Sequence, residues 1–132
     1  MSDKKILIVE DDADVSLGYQ VLLNAHGYDT YFATDSTSAV TEARKHLPDL
    51  IILDLGLPTG DGFVVLDRYR ANTYLSVVPV IVVSARDLYG NNERALSGGA
   101  QAYVQKPFDD EALLALIREH LGETQHVGAG AA

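Results

Sequence analysis

The sequence predicts an α/β protein in which five strands of a mostly parallel sheet alternate with five helices, a (βα)5 pattern. Three observations predict it. Short, mostly apolar runs recur at Lys5–Val9, Leu50–Leu53, Val77–Val83 and Ala102–Val104, with a more polar one at Tyr28–Ala33. Between them, apolar residues repeat at helical spacing. Gly, Pro and Asx residues punctuate most of the junctions. Strands that alternate with helices are joined by right-handed crossovers, and such connections give parallel pairing. At 132 residues the chain reads as one domain with its own core.

The elements follow in order. Lys5-Ile6-Leu7-Ile8-Val9 is the first strand, and it ends in three carboxylates, Glu10, Asp11 and Asp12. Ala13 to His26 is the first helix; Val15, Tyr19, Leu22 and Leu23 share a face, and Gly27 stops it. Tyr28 to Ala33 is a more polar strand and reads as a sheet edge. Asp35 to His46 is the second helix, with Ala39, Val40, Ala43 and Leu47 along one stripe. Asp35 and Ser36 are its candidate caps and Pro48 closes it.

Leu50-Ile51-Ile52-Leu53 is apolar throughout, as expected of a central strand buried on both faces. It runs into Asp54 and a turn cluster of Gly56, Pro58, Thr59, Gly60 and Asp61. On this stretch alone, Asp54 either caps the turn or presents its carboxylate at the strand's carboxyl end, where open α/β sheets keep their ligands. Gly62 to Asn72 is the third helix, with Phe63, Leu66 and Tyr69 or Arg70 on its stripe. Val77 to Val83 is the fourth strand, with Pro79 near its start, and it ends in Ser84-Ala85-Arg86. Asp87 to Ser97 is a weak helix, because Gly90, Asn91 and Asn92 lower its propensity, and it is expected to be the most mobile. Gly98-Gly99 ends it. Ala102-Tyr103-Val104 is a short fifth strand, followed by Gln105-Lys106-Pro107-Phe108. Asp109 or Asp110 caps the last helix, whose Leu113, Leu114, Ile117 and Leu121 line one face. Residues 122–132 are Gly/Ala-rich and read as a disordered tail or linker stub beyond a domain spanning 4–121.

Charge narrows the function classes. The formal net charge is −9. Such a chain is repelled by phosphate backbones and anionic lipid, and no long Lys/Arg block offsets this, so neither direct nucleic-acid binding nor membrane association is expected. No apolar run approaches the ~18 residues of a membrane span. The apolar residues between Lys5 and Glu10 are too few for a signal-peptide core. Cysteine is absent, which excludes disulfides and thiolate metal sites. A cytoplasmic location fits these features.

In a parallel sheet the carboxyl ends of all strands lie along one edge. That edge would collect Glu10, Asp11 and Asp12 from the first strand, Asp54 from the third, Ser84 from the fourth and Lys106 from the fifth. Each has a plainer explanation alone: Asp11 or Asp12 as a helix cap, Ser84 as a turn residue, Lys106 as a solvated lysine. Their coincidence at successive strand ends points to chemistry. Clustered carboxylates repel one another unless a cation sits among them. Oxygen-only ligands suit a hard ion such as Mg2+, which keeps waters for a phosphate, with Mn2+ as a substitute. A hydroxyl and an ammonium opposite would hold other phosphoryl oxygens. Asp54 is the candidate nucleophile, and a carboxylate attacking phosphorus gives an acyl phosphate.

With these residues in place, the chain resembles the receiver domains of two-component response regulators. The resemblance rests on Ile6-Leu7-Ile8-Val9-Glu10-Asp11-Asp12, Leu53-Asp54-Leu55-Gly56-Leu57-Pro58 with Asp61-Gly62, Val83-Ser84-Ala85, Gly99-Ala100 and Lys106-Pro107-Phe108. It implies a flavodoxin-like three-layer sandwich of strand order 2-1-3-4-5. It also implies that Asp54 is the phosphoacceptor, that Asp11 binds Mg2+ directly, that Glu10 acts through a metal-bound water and that Gly56 lends the metal a backbone carbonyl. Ser84 matches the switch hydroxyl that bonds the phosphoryl group, with Ala85 beside it at the phosphoryl-binding position. Lys106 matches the lysine that pairs with that group, and Tyr103 the aromatic residue that turns inward when Ser84 moves. The Lys106-Pro107 bond is expected to be cis.

The resemblance implies a phosphorylation-activated signalling switch, not an enzyme acting on a separate substrate. A sensor histidine kinase or histidine phosphotransfer protein would donate the phosphoryl group. A downstream effector or output domain would read the result, and the chain would be a monomer or weak dimer. It could be a complete single-domain regulator or the receiver of a longer protein. Two other classes stand beside this one. A phosphohydrolase with an aspartyl intermediate typically needs a second Asp two residues after the nucleophile, where this chain has Gly56. A receiver-like docking or dimerisation module would use the fold without phosphorylation. Departures from the family pattern include Glu10 for the commoner Asp and Ser84 for the commoner Thr. Arg86, two residues past the hydroxyl, is expected to slow water attack on the phosphoryl group. Gln101 and Ala102 replace the acidic residues of salt-bridged DNA-binding dimers, which are therefore less supported.

Overall fold

The computed structural model describes residues 4–57, 62–85 and 91–123. In chain order these form β1 (Lys5–Val9), α1 (Ala13–Ala25), β2 (Asp29–Ala33), α2 (Ser36–His46) and β3 (Leu50–Leu53). They continue with α3 (Gly62–Ala71), β4 (Val80–Ser84), α4 (Asn91–Ser97), β5 (Ala102–Gln105) and α5 (Asp110–His120). The strands pair in parallel in the order β2-β1-β3-β4-β5, the flavodoxin-like order.

Successive side chains of a strand point to opposite faces of the sheet, and here both faces are covered. Leu7, Val9, Ile51, Leu53, Val80 and Val82 pack on one side with residues of α2, α3 and α4. Ile6, Ile8, Leu50, Ile52, Ile81 and Val83 pack on the other with residues of α1 and α5. All four residues of β3 are buried, as its unbroken apolar run requires. At roughly 1.5–3 kcal/mol for each fully buried large aliphatic side chain, this strand is a main anchor of the fold.

Register aligns the strand ends. Val9 pairs with Leu53, Leu53 with Val82, and Ser84 with Gln105. Backbone bonds then continue one residue past the strands. Glu10 N–H donates to the Ala33 carbonyl at 2.9 Å, Asp54 N–H to Val9 at 3.0 Å and Lys106 N–H to Ser84 at 2.8 Å. The polar residues that follow the strands thus have backbones fixed by the sheet itself.

Three helices begin on aspartate caps. Asp12 accepts from the N–H groups of Asp14 and Val15, Asp35 forms a capping box with Ser38, and Asp109 accepts from Ala112 N–H. Gly27 follows the α1 C-cap at φ 85°, as its stop signal predicts.

Two expectations are corrected. The fourth strand starts at Val80, not Val77, and Val77 is 81% exposed. The Asn72 carboxamide oxygen accepts from Tyr74 and Leu75 N–H at 2.9 and 3.0 Å, and the Arg70 guanidinium holds the Ser76 carbonyl, so the chain is still turning there. Leu47 leaves the α2 stripe and is 56% exposed, because the helix ends at His46 and Leu47 adopts a left-handed φ of 49°. The expectations for Pro58 to Asp61, for Arg86 to Gly90 and for residues 124–132 lie outside the described residues. Among those described, no helix is long and apolar enough to cross a membrane.

Candidate functional site

The edge formed by the carboxyl ends of β1, β3, β4 and β5 carries the clustered polar side chains. Glu10, Asp11 and Asp54 each bring a carboxylate oxygen within 4.8 Å of the others. The Lys106 ammonium donates to Glu10 Oε1 at 2.8 Å and lies 3.8 Å from Asp54 Oδ2. Asp54 Oδ1 accepts from the Gly56 N–H at 3.1 Å, which orients the carboxylate against its own turn.

The three adjacent acids of the first strand have separate fates. Glu10 is 3% exposed and directed into the site, where Oε2 also accepts from Asp12 N–H at 3.2 Å. Asp11 is exposed and joins the carboxylate cluster. Asp12 turns away to cap α1. The sequence left the cap open between Asp11 and Asp12, and the structure assigns it to Asp12. Burial pushes the Glu10 carboxyl above its ordinary range, the neighbouring charge of Asp54 adds to this, and the bonds from Lys106 and Asp12 oppose it.

Ser84 is 1% exposed at the end of β4, and its carbonyl receives the Lys106 N–H. Ala85 follows it at the exposed rim. Tyr103 is half-buried on β5 and packs against the core on the α2–α3–α4 side. The Lys106-Pro107 peptide is cis, as expected.

Sequence reasoning passed over two supports of the site. Gly62 donates its N–H to the Leu55 carbonyl at 3.0 Å. A Cβ there would sit 2.6 Å from Leu55 Cα and 2.7 Å from the Asp54 carbonyl oxygen. Helix α3 can begin directly against the Asp54 turn because the residue there has no side chain. Its place after Asp61 was the visible signal; the contact itself depends on tertiary geometry. The second support is Tyr19, which stacks on Phe108 with ring centroids 6.0 Å apart, joining α1 to the segment after Lys106.

Among the described residues, three carboxylates against one ammonium leave a local excess of negative charge. The donors are hard oxygens, and two of them, on Asp11 and Asp54, are open to solvent in part. This donor set fits a hard divalent cation such as Mg2+ and offers nothing to a soft one. A carboxylate held rigidly beside an ammonium also has the arrangement of a nucleophile for an electrophilic phosphorus.

Comparison with known proteins places the chain in a family. The sequence matches the family described as response regulator receiver domain over residues 6–118. The polar-differentiation response regulator DivK of Brucella anthropi is 34% identical over 120 residues, covering 91% of this chain and 98% of that protein. Among solved structures, the receiver domain of a sensor histidine kinase from Pseudomonas aeruginosa has a magnesium ion coordinated in its active-site cleft. It superposes with a TM-score of 0.84 at 30% identity, covering 92% of this chain and 100% of that one. A CheY-like receiver domain protein from Methanospirillum hungatei gives a TM-score of 0.85 at 27% identity, with 92% and 95% covered.

Proposed function

The chain belongs to the family of response regulator receiver domains, and from that premise we propose that it is a phosphorylation-activated switch whose acceptor is Asp54. The observation that carries this reading is the meeting of Asp54 with the Lys106 ammonium and the carboxylates of Glu10 and Asp11 at the strand ends.

Asp54 attacks the phosphorus of a phosphohistidine on a sensor kinase or histidine phosphotransfer protein. An O–P bond forms, the N–P bond breaks, and its electron pair leaves with the imidazole. Asp11 and Asp54 would hold Mg2+ with the Gly56 carbonyl, and Glu10 through a metal-bound water; the ion would supply charge neutralisation for the phosphoryl oxygens. Lys106 pairs with one of those oxygens, and the Ser84 hydroxyl bonds another, with Ala85 at the rim. Tyr103 then packs further inward, and the surface beside Ser84, Tyr103 and α4 is read by an effector. Water attack on phosphorus returns Asp54 to the carboxylate and releases inorganic phosphate. Such a switch works in the cytoplasm, as a monomer or weak dimer, and its two states need differ by only a few kcal/mol.

Acetyl phosphate with Mg2+, followed by intact-mass measurement, tests the reading. The expected result is a mass gain of one phosphoryl group, absent without Mg2+ and in Asp54→Asn. No adduct would instead favour a docking module, and sustained turnover of varied phosphoesters would favour a phosphohydrolase.

A further inference from the structure

We propose that the groove between the C-terminal ends of α2 and α3 docks an acidic protein segment through an apolar anchor side chain. This groove lies at the amino-terminal edge of the sheet, opposite Asp54. Arg44, Leu47, Asn72, Tyr74 and Leu75 line it around a volume of about 350 Å³.

Three observations point to a partner. The first is apolar exposure: Leu47 is 56%, Tyr74 76% and Val77 81% exposed, on two neighbouring turns. Leu47 also holds a left-handed φ of 49°, which suits glycine or asparagine far better than leucine. Fold stability alone would favour neither the conformation nor the exposure of that side chain. The second is rigidity. The Asn72 side chain ties Tyr74 and Leu75 N–H, and Arg70 bridges the Ser76 and Gly99 carbonyls, so the far wall of the groove is preformed.

The third is charge. In a chain of net charge −9, the last turns of α2 and α3 carry Arg44, Lys45 and Arg68. None of the three makes an ion pair among the described residues. The Lys5 ammonium adds a fourth cation at the end of α2, where it donates to the His46 carbonyl at 3.3 Å. The nearby acids are Glu42, Asp49 and Asp67, so with Arg70 the cations of these turns outnumber the anions five to three. An apolar groove with a basic rim complements an acidic segment that presents one leucine- or phenylalanine-type side chain, and its cations would steer that segment in.

The test is an NMR titration of the full 15N-labelled chain with a short synthetic peptide of glutamates carrying two leucines one helical turn apart. Saturable amide shifts at Arg44, Leu47, Tyr74 and Leu75 are expected, weakening as salt rises. A peptide with the leucines replaced by serine should lose them. Arg44→Glu with Lys45→Glu should weaken binding on the order of tenfold, and Tyr74→Ala should weaken it while leaving Asp54 phosphorylation unchanged. Absence of saturable shifts, or shifts confined to α1, α4 or α5, would overturn the proposal. Concentration-dependent shifts at the same residues without peptide, matched by self-association in sedimentation, would assign the groove to a second copy and overturn it equally.

Discussion

Replacing Lys106 by Met removes the ammonium and keeps the stem, which isolates what the charge does in the resting protein. Glu10 is almost fully buried and has two donors, the Lys106 ammonium at 2.8 Å and the Asp12 N–H at 3.2 Å. Two opposite charges about 4 Å apart attract by ~4 kcal/mol at an effective dielectric constant of 20. Lys106 is about a fifth exposed, so solvent screens part of this, and its own desolvation is relieved by the change. A hydrogen bond to a charged group contributes roughly 1.5–3 kcal/mol. Lys106→Met should therefore be about 2 kcal/mol less stable than the parent at neutral pH without divalent ions, by urea unfolding.

The deficit should depend on pH in a set direction. Burial already raises the Glu10 carboxyl above its ordinary 4.5, and Lys106 opposes that rise. A raised folded value means that the stability linked to the proton is complete below 4.5 and is lost as pH rises through the folded value. Without Lys106 the folded value climbs further and more is lost. The deficit must therefore shrink as pH falls toward 4.5, and Lys106→Met paired with Glu10→Gln should recover much of it at neutral pH. A deficit below about 0.5 kcal/mol, or one that is flat with pH, would refute a net stabilising role for this pair.

Other perturbations separate neighbouring residues. Asp12→Ala should cost about 1 kcal/mol through the lost α1 cap while leaving Asp54 competent in the intact-mass assay. Asp11→Asn should leave urea stability within about 0.5 kcal/mol but abolish the rise in melting temperature on adding Mg2+. Gly62→Ala should lose roughly 1–3 kcal/mol by overpacking against Leu55 and Asp54, seen as a lower urea midpoint with an unchanged slope. The Tyr28 phenol is raised from its usual 10.0 to about 12 by burial, by its bond to Glu123 and by the charge of that residue. Its contribution is complete below pH 10 and lost as pH rises through about 12, so Tyr28→Phe should flatten the alkaline decline in unfolding free energy.

Much of this architecture was legible because local patterns and tertiary needs coincide. The unbroken run Leu50–Leu53 demands burial on both faces and occupies a central strand. The acids and Lys106 were placed together by one rule, that parallel strands share a carboxyl edge, and Glu10, Asp11, Asp54 and Lys106 do meet there, while Asp12 caps α1 instead. Legibility failed where side-chain bonds to the backbone and helix termination, which apolar patterning does not encode, decide the path of the chain. Val77 and Val78 look like strand, yet Asn72 and Arg70 keep that segment turning. Leu47 matches a helical stripe, but the chain leaves the helix one residue earlier. The division of labour among Glu10, Asp11 and Asp12 was equally hidden, because it depends on which carboxylate faces Lys106 and which faces the start of α1.

The central claim is that a phosphoryl group is carried by Asp54 and by no other carboxylate of the cluster. Its most direct test is borohydride reduction of the chain after treatment with acetyl phosphate and Mg2+, followed by peptide mass spectrometry. Reduction converts an aspartyl phosphate to homoserine and leaves free carboxylates unchanged. Homoserine at position 54, with Asp11 and Glu10 intact, is the predicted result. Homoserine at Asp11, or no conversion while the family's fold is demonstrably intact, would contradict the account.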